Sequence, residues 1–375
     1  MTLIFNSNPT HTLGVELELA IVDLETGELT NGYDLIARSV PAGWEDSIKP
    51  EFKQSYVEVN TDVCATVDDV RKDLTEKILW LEETAATHGM GLLWTGTHPF
   101  SQWDEQATSP GERYAWLTDT MQYVADRLVV FGMHVHVGVS SGDKAIQMCD
   151  RLLRHIPTLL ALSANSPNWC GRDTGLDSYR TKVMESLPTA GMPHTLRNWS
   201  EYNWLIDHLR STGFIQSAHE IWWDARPHAQ FGTVELRVMD MPWSMEHMLG
   251  LAALTQCLIA GISDVIDQGA YLYDSHPMIA TQNKWHAVRY GLDAHFVDFD
   301  TMQAIPARQA VRRLTEYLAP IAQRLGCATE LGYIQTILTS GNGAANQRVL
   351  IDSEPPRVVI DSMLQAATGS LAQQT

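Results

Sequence analysis

The chain has no C-x-x-C pair, and its five cysteines (Cys64, Cys149, Cys170, Cys257, Cys327) are scattered and odd in number. That spacing argues against a thiolate zinc site or a disulfide framework and fits reduced thiols in the cytoplasm. Lysine and arginine are missing before Arg38, so the N-terminus lacks the basic region of a signal or transit peptide. The longest strongly apolar stretch runs only from Met248 to Ser263 and includes Thr255 and Gln256. A bilayer span needs about 20 apolar residues, so this stretch reads as a buried helix and no membrane partner is expected. Positive charge is scarce: 26 Lys and Arg face 45 Asp and Glu, for a formal net charge of −19. That balance argues against nucleic acid, whose phosphates need a basic patch. An anionic substrate could still be held if metal ions convert an acidic site into a phosphate receptor. Neither a G-x-G-x-x-G nor a G-x-x-x-x-G-K-[ST] loop occurs, so any phosphate is held in another way. Linkers, repeats and low-complexity tracts are absent too, which favours one domain over residues 1–375.

What is present is normal globular material, 45% hydrophobic and 19% charged, with 12 Trp that suit cleft walls as well as core. Leu13, Val15, Leu17 and Leu19 alternate with Gly14, Glu16 and Glu18, the period of a strand. The segment Asp23–Leu29 reads as a turn leading into a second strand. Val70, Leu74, Ile78, Leu81 and Ala85 keep helical spacing, with Thr66 as N-cap and Gly89 as stop. A short buried strand is expected at Gly91–Gly96 and another at Gly132–Ser140, with helices at about 143–165, 198–212 and 246–268. A strand pair is expected near Ile221–Asp224 and Thr233–Val238. The C-terminal part, about 300–370, reads as helical: Val311, Leu314, Leu318, Ile321 and Leu325 repeat between Pro306 and Gly326, with Pro320 forcing a kink. The sum is an α+β fold, a mainly antiparallel sheet polar on one face and covered by helices on the other.

Four segments put ionisable residues on that polar face. Residues at i and i+2 of a strand point the same way, so Glu16 with Glu18, His134 with His136, and Glu235 with Arg237 can each converge on one place. The fourth, Glu51 to Glu58, supplies two more carboxylates. Singly, the glutamate pairs read as the wet side of the chain and Glu235 with Arg237 as a surface ion pair worth little, while a lone His-x-His is more often incidental than metal-binding, although two imidazoles on one strand face hint at ligation. Jointly they describe a ligand set rich in carboxylate and poor in histidine, which suits Mg²⁺ or Mn²⁺ better than zinc. Asn165–Arg180 mixes Gly, Asp and Arg in the manner of an anion-holding loop, and Arg226 lies just upstream of the Glu235 strand. Structural ion pairing is the competing reading for these arginines.

The segments Gly14-Val-Glu-Leu-Glu, Gly132-Met-His-Val-His-Val-Gly, Gly171-Arg-Asp-Thr-Gly and Trp223-Asp-Ala-Arg-Pro-His with Gly232-Thr-Val-Glu-Leu-Arg-Val-Met-Asp resemble the bacterial type 2 glutamate–cysteine ligase family, in its carboxylate–amine ligase branch. The likeness runs from about residue 12 to the C-terminal helices. It implies the glutamine synthetase-like fold, a curved antiparallel sheet forming a funnel with ATP at one end and amino acid at the other. By the same resemblance Glu16, Glu18, Glu51, Glu58, His134 and Glu235 bind metal ions. His136 would face the ATP phosphates, and Arg237 would stabilise the transferring phosphoryl group. Arg172, Arg180 and Arg226 would bind substrate carboxylate or nucleotide phosphate. Many relatives carry Gly-x-Glu-Glu-Glu where this chain has Leu17, but that position points to the opposite face.

The activity so implied is ATP- and Mg²⁺-dependent (or Mn²⁺-dependent) amide formation between a small-molecule carboxylate and an amine, through an acyl phosphate. Glutamate and cysteine are the family's namesake pair. Two other readings use the same residues: a zinc metallohydrolase built on His134, His136 and a glutamate, and a non-catalytic small-molecule binder. The apolar C-terminal helices could support a homodimer.

Overall fold

Alternation at the start of the chain becomes the central strand of a sheet. In chain order the strands are β1 (Leu13–Asp23), β2 (Ile48–Pro50), β3 (Tyr56–Asn60), β4 (Met90–Leu93), β5 (Gly132–Gly138), β6 (Asn168–Trp169), β7 (Arg172–Asp173), β8 (Ala225–His228), β9 (Thr233–Asp240), β10 (His295–Val297) and β11 (Ala304–Pro306). The computed structural model describes residues 3–270 and 276–372. Seven strands form one open sheet in the order β2-β3-β1-β5-β9-β8, with β4 paired to the second half of β1. Each of these pairings is antiparallel. The mixed α+β class expected from the sequence is the class observed.

Register follows from the apolar residues. Leu17 lies opposite Val59 and Met133, Val15 opposite Val135, and Val135 opposite Leu236. These residues are fully buried or nearly so, and the face they share packs against the helices Val67–Ala86 and Met245–Asp267. Burying each such side chain is worth about 1.5–3 kcal/mol. A slip of one residue would turn the whole row outward and drive the glutamates into the core, so this register is strongly specified.

The helix Val67–Ala86 starts at Thr66, whose hydroxyl accepts from the Asp69 amide while the Asp69 carboxylate accepts from the Thr66 amide. Met245–Asp267 is long and apolar enough to cross a membrane, yet 78% of its apolar window is buried inside the protein. It is a core helix. Four helices, Ala307–Leu325, Ala328–Ser340, Gly343–Ser353 and Pro356–Ala372, close the chain. The first continues through Pro320 and stops at Gly326, whose φ of 72° suits the absent side chain.

Three expectations need correction. The helix expected at 143–165 is two, Gly142–Leu152 and Ile156–Ser163, because Pro157 starts a new first turn rather than extending the old one. The strand before β9 is Ala225–His228 rather than Ile221–Asp224, which moves Arg226 onto the sheet. Beyond the Asp23 turn there is only a single bridge, Val22 to Leu29, not a second strand.

Candidate active site

Sheet register brings the four ionisable segments onto one face. Across β1, Glu16 lies opposite His134 of β5, and Glu18 opposite Glu58 of β3. Farther along, His136 lies opposite Glu235 of β9, which in turn faces Arg226 of β8. A bulge in the β5–β9 pairing sets two residues of β9, Arg237 and Val238, against His134 alone. That extra residue lets Arg237 reach the cluster beside Glu235. Glu51 arrives from the loop after β2.

The side chains form two adjoining groups. In the first, oxygen or nitrogen atoms of Glu16, His136 and Glu235 all lie within 4.8 Å of one another. His136 Nε2 is 3.2 Å from Glu16 Oε1 and 3.8 Å from Glu235 Oε1. Glu235, only 1% exposed, accepts from Arg226 Nε at 2.6 Å and from Arg237. Burial opposes its ionisation, but the charges of Arg226 and Arg237 outweigh that and hold its carboxyl well below the ordinary range. Burial opposes Glu16 too, and hydrogen bonds from His134 and His136 depress it nonetheless.

The second group is Glu18, Glu51, Glu58 and His134. The Glu18 carboxylate accepts from the Gly132 amide, and Glu58 accepts from Asn60 Nδ2 at 2.7 Å. Among the described residues no guanidinium is hydrogen-bonded to the Glu18, Glu51 or Glu58 carboxylates. Burial, reinforced by the charges of Glu16 and Glu51, pushes Glu58 well above the ordinary carboxylate range. Glu51 is raised by burial and by Glu18. His134 joins the groups: its Nδ1–H donates to Glu16 at 3.0 Å, leaving a buried Nε2 with no hydrogen-bond partner, 3.9 Å from Glu18.

These residues fit divalent cations. A ring nitrogen without a partner, on a histidine whose other nitrogen is tied to a carboxylate, is how a metal-binding imidazole is held ready. Buried glutamates crowded enough to resist ionisation lack positive charge, which a hard cation supplies. His136 lies in the tight three-residue group, while His134 touches Glu16 of that group and Glu18 of the second.

The arginines divide as well. Arg237 lines a cavity of about 110 Å³ next to the second group, and its buried Nε has no partner. Arg180, 3% exposed, lines the same cavity, and its Nε is also unpartnered. Gly132 packs directly against it, since a Cβ there would meet the Arg180 guanidinium and force it to shift. Arg226 is spent structurally on Glu235 and on the carbonyls of His219 and Ile221. Arg172 is exposed on the β6–β7 hairpin and does not line the cavity. The aspartates of its loop are tied by Arg348 instead. Sequence reasoning missed Arg113, Tyr114 and Trp222, which also line the cavity. Arg113 and Tyr114 belong to the helix Glu112–Met121 in a stretch with no strand alternation to flag them. A larger cavity, about 460 Å³, opens between Met245–Asp267 and Ala307–Leu325. Its acids Asp298 and Asp300 are paired with Arg313 and Arg154, so size does not mark the site.

Residues 12–374 match the family model described as glutamate-cysteine ligase family 2. The "Putative glutamate–cysteine ligase 2" of Gloeobacter violaceus is 41% identical over 98% of this chain and 99% of its own length. A protein of the same name from Thermobifida fusca is 40% identical over 94% of this chain and 89% of its own. Among solved structures, glutamate–cysteine ligase from Francisella tularensis in complex with AMP shares the fold with a TM-score of 0.70 at 12% identity, covering 99% and 95% of the two chains. A bifunctional glutathione synthetase from Pasteurella multocida gives 0.69 at 14% identity over 97% of this chain and 52% of its own. The chain belongs to the glutamate–cysteine ligase family 2 and is a ligase of that family.

Proposed function

We propose that this member of the family works as one catalytic domain that uses ATP to join the γ-carboxyl of glutamate, or a similar carboxylate, to an amine such as that of cysteine. Carboxylate and amine do not condense unaided, because oxide is too poor a leaving group. ATP overcomes this by phosphorylating the carboxylate with loss of ADP, and the amine then displaces phosphate from the acyl phosphate. The protein's part is positioning and charge neutralisation.

Glu16, His136 and Glu235 would hold one divalent cation, and Glu18, Glu58, His134 and Glu51 would hold more. Mg²⁺ or Mn²⁺ in those places would neutralise phosphate charge and polarise the transferring group. Arg237, anchored by Glu235, presents a permanent positive charge where two anions must meet, the type of fixed group that stabilises charge as it develops. Arg226 holds Glu235 in place. Arg180 presents buried N–H donors to a substrate carboxylate. The five free cysteines fit a reducing cytoplasmic setting.

The observation that carries this reading is the meeting of Glu16, His136 and Glu235 within 4.8 Å, fused through His134 to a second buried acidic group. The test is ADP release by purified protein across pairs of amino acids and amines with Mg²⁺. Release should require carboxylate, amine and divalent cation together, and EDTA should abolish it. Bond cleavage that proceeds without nucleotide would instead support a hydrolase.

A further inference from the structure

Lys284 takes no part in the chemistry described so far, yet it is 2% exposed on the helix Pro277–Tyr290. Its ammonium donates to Asp224 Oδ2 at 2.6 Å and lies 2.7 Å from Glu185 Oε1. Burial opposes its charge, but Asp224 and Glu185 outweigh that and raise its pKa. Glu185 has a second cation, Lys182, at 2.5 Å. Among the described residues Lys284 is the one cation that touches the Asp224 carboxylate. Asp224 and Arg180 line the same water-sized cavity of about 20 Å³, and Arg237 lines it with them. The two arginines also line the 110 Å³ cavity of the active site, which Asp224 does not reach. Burial pushes the Asp224 carboxyl up, and the charges of Lys284 and Arg180 both work against that. Arg180 nevertheless has an unpartnered Nε, and its terminal nitrogens make only 3.4 Å contacts with the Arg237 carbonyl. A buried carboxylate this near an open guanidinium would ordinarily close on it. Here it is turned to Lys284 instead.

We infer that Lys284 is a positioning residue that keeps Arg180 open for substrate. By holding Asp224 it prevents that carboxylate from closing on the guanidinium. This rests on the ligase reading, in which Arg180 receives the carboxylate of an amino-acid substrate. An Arg180 paired to Asp224 would have its charge offset and its donors occupied. Substrate would then have to displace a carboxylate from it in a buried place. A hydrogen bond to a charged group lost in this way is worth about 10-fold or more in binding.

The experiment measures kcat and the KM of ATP, glutamate and the amine acceptor by ADP release. It compares the wild type, Lys284→Met and the double variant Lys284→Met/Asp224→Asn. In Lys284→Met the KM of one amino-acid substrate should rise about 10-fold or more, while that of ATP stays within about threefold. Neutralising the released carboxylate should undo the loss, so the double variant should return to within about threefold of the wild type. A lysine that only braced the fold would leave the double variant as poor as the single one, or worse. That result, or amino-acid KM values untouched in Lys284→Met, would overturn the inference and leave the ligase reading standing. Removing one partner of a buried ion pair can unfold a protein. If Lys284→Met does not fold, the double variant and Asp224→Asn alone decide: amino-acid KM values within about threefold of the wild type in both sustain the inference, and a larger rise in either ends it. If the wild type releases no ADP with any pair, the ligase reading falls, and calorimetric titration with glutamate decides the role of Lys284 separately. Heat with the wild type and the double variant but not with Lys284→Met sustains it; any other pattern ends it.

Discussion

Glu235 and Glu58 are both glutamates of one sheet face, set on strands that flank the β1–β5 pair, yet they are held in opposite ways. Glu235 sits among Arg226, Arg237 and His136, and its carboxyl is depressed well below the ordinary range. Glu58 sits among Glu16, Glu51 and the Asn60 amide, and burial with those neighbouring charges raises it well above that range. One end of the site therefore carries its own counter-charge and is organised by the chain itself. The other end concentrates acid without a cation. An added divalent ion should change the second end far more than the first, because there it relieves repulsion as well as binding.

The strongest way to break this comparison is Glu235→Gln. Neutralising that side chain leaves Arg226 and Arg237 buried around an amide and frees Arg237 from its anchor. ADP release should fall by about 10²–10³, or roughly 3–4 kcal/mol of transition-state stabilisation. Circular dichroism should show a folded protein with a lowered Tm in EDTA. Turnover near the wild-type rate would remove Glu235 and Arg237 from the site.

Histidines extend the comparison. Burial opposes the charging of His136, but Glu235 and Glu16 outweigh it and raise its pKa. His98, whose burial is opposed only by its bond to the Gly27 carbonyl, and His247, with burial alone, are depressed to about 3 and about 4. His98 donates Nε2–H to the Gly27 carbonyl and accepts from the Ser101 amide through Nδ1, so both nitrogens are used in the neutral form. The sign follows. Folded pKa values lie below the unfolded value of about 6.5, so below that pH the unfolded chain takes up protons the folded chain refuses. Stability is full above about pH 6.5 and is lost as pH falls toward 4, by about 2 kcal/mol for each histidine at pH 5. Thermal melts from pH 7 to pH 5 should show the loss, and His98→Asn should flatten the slope whatever its absolute Tm. An unchanged slope would show that His98 is not a source of acid lability.

Much of this was legible because strand chemistry is written with period two. Glu16 with Glu18, His134 with His136, and Glu235 with Arg237 needed only alternation to be placed on a common face. The fold class and the Thr66-capped helix came from equally local patterns. What alternation cannot give is strand order, so the split into a charge-balanced group and an acid-crowded group emerged only with the β3-β1-β5-β9-β8 sequence. Arg226 is a case of that loss: read as upstream of a strand, it proved to lie opposite Glu235 and to be consumed by it. Arg172 shows the converse, since a Gly-, Asp- and Arg-rich segment looks like an anion loop whether its arginine faces a cavity or solvent. The break before Ile156 did carry a local signal, Pro157, which the apolar run around it obscured. Arg113 and Tyr114 reach the cavity from a helix whose sequence has nothing to distinguish it from an exposed one.

The smallest effect is the most discriminating. Glu58→Gln substitutes an amide for a carboxyl that, without a cation, already favours its neutral form. The amide keeps an oxygen for Asn60 and places an N–H toward Glu51, so the two hydrogen bonds of the neutral acid are retained. Tm in EDTA should match or exceed the wild type, the reverse of Glu235→Gln. With Mg²⁺ the order changes: the variant offers one charged ligand fewer, so the Mg²⁺ concentration for half-maximal ADP release should rise about tenfold. Tm measured with and without Mg²⁺ on both variants separates the two ends of the site. A drop in EDTA for both would mean that Glu58 is ionised and paired in the folded protein, and that the site has one electrostatic character rather than two.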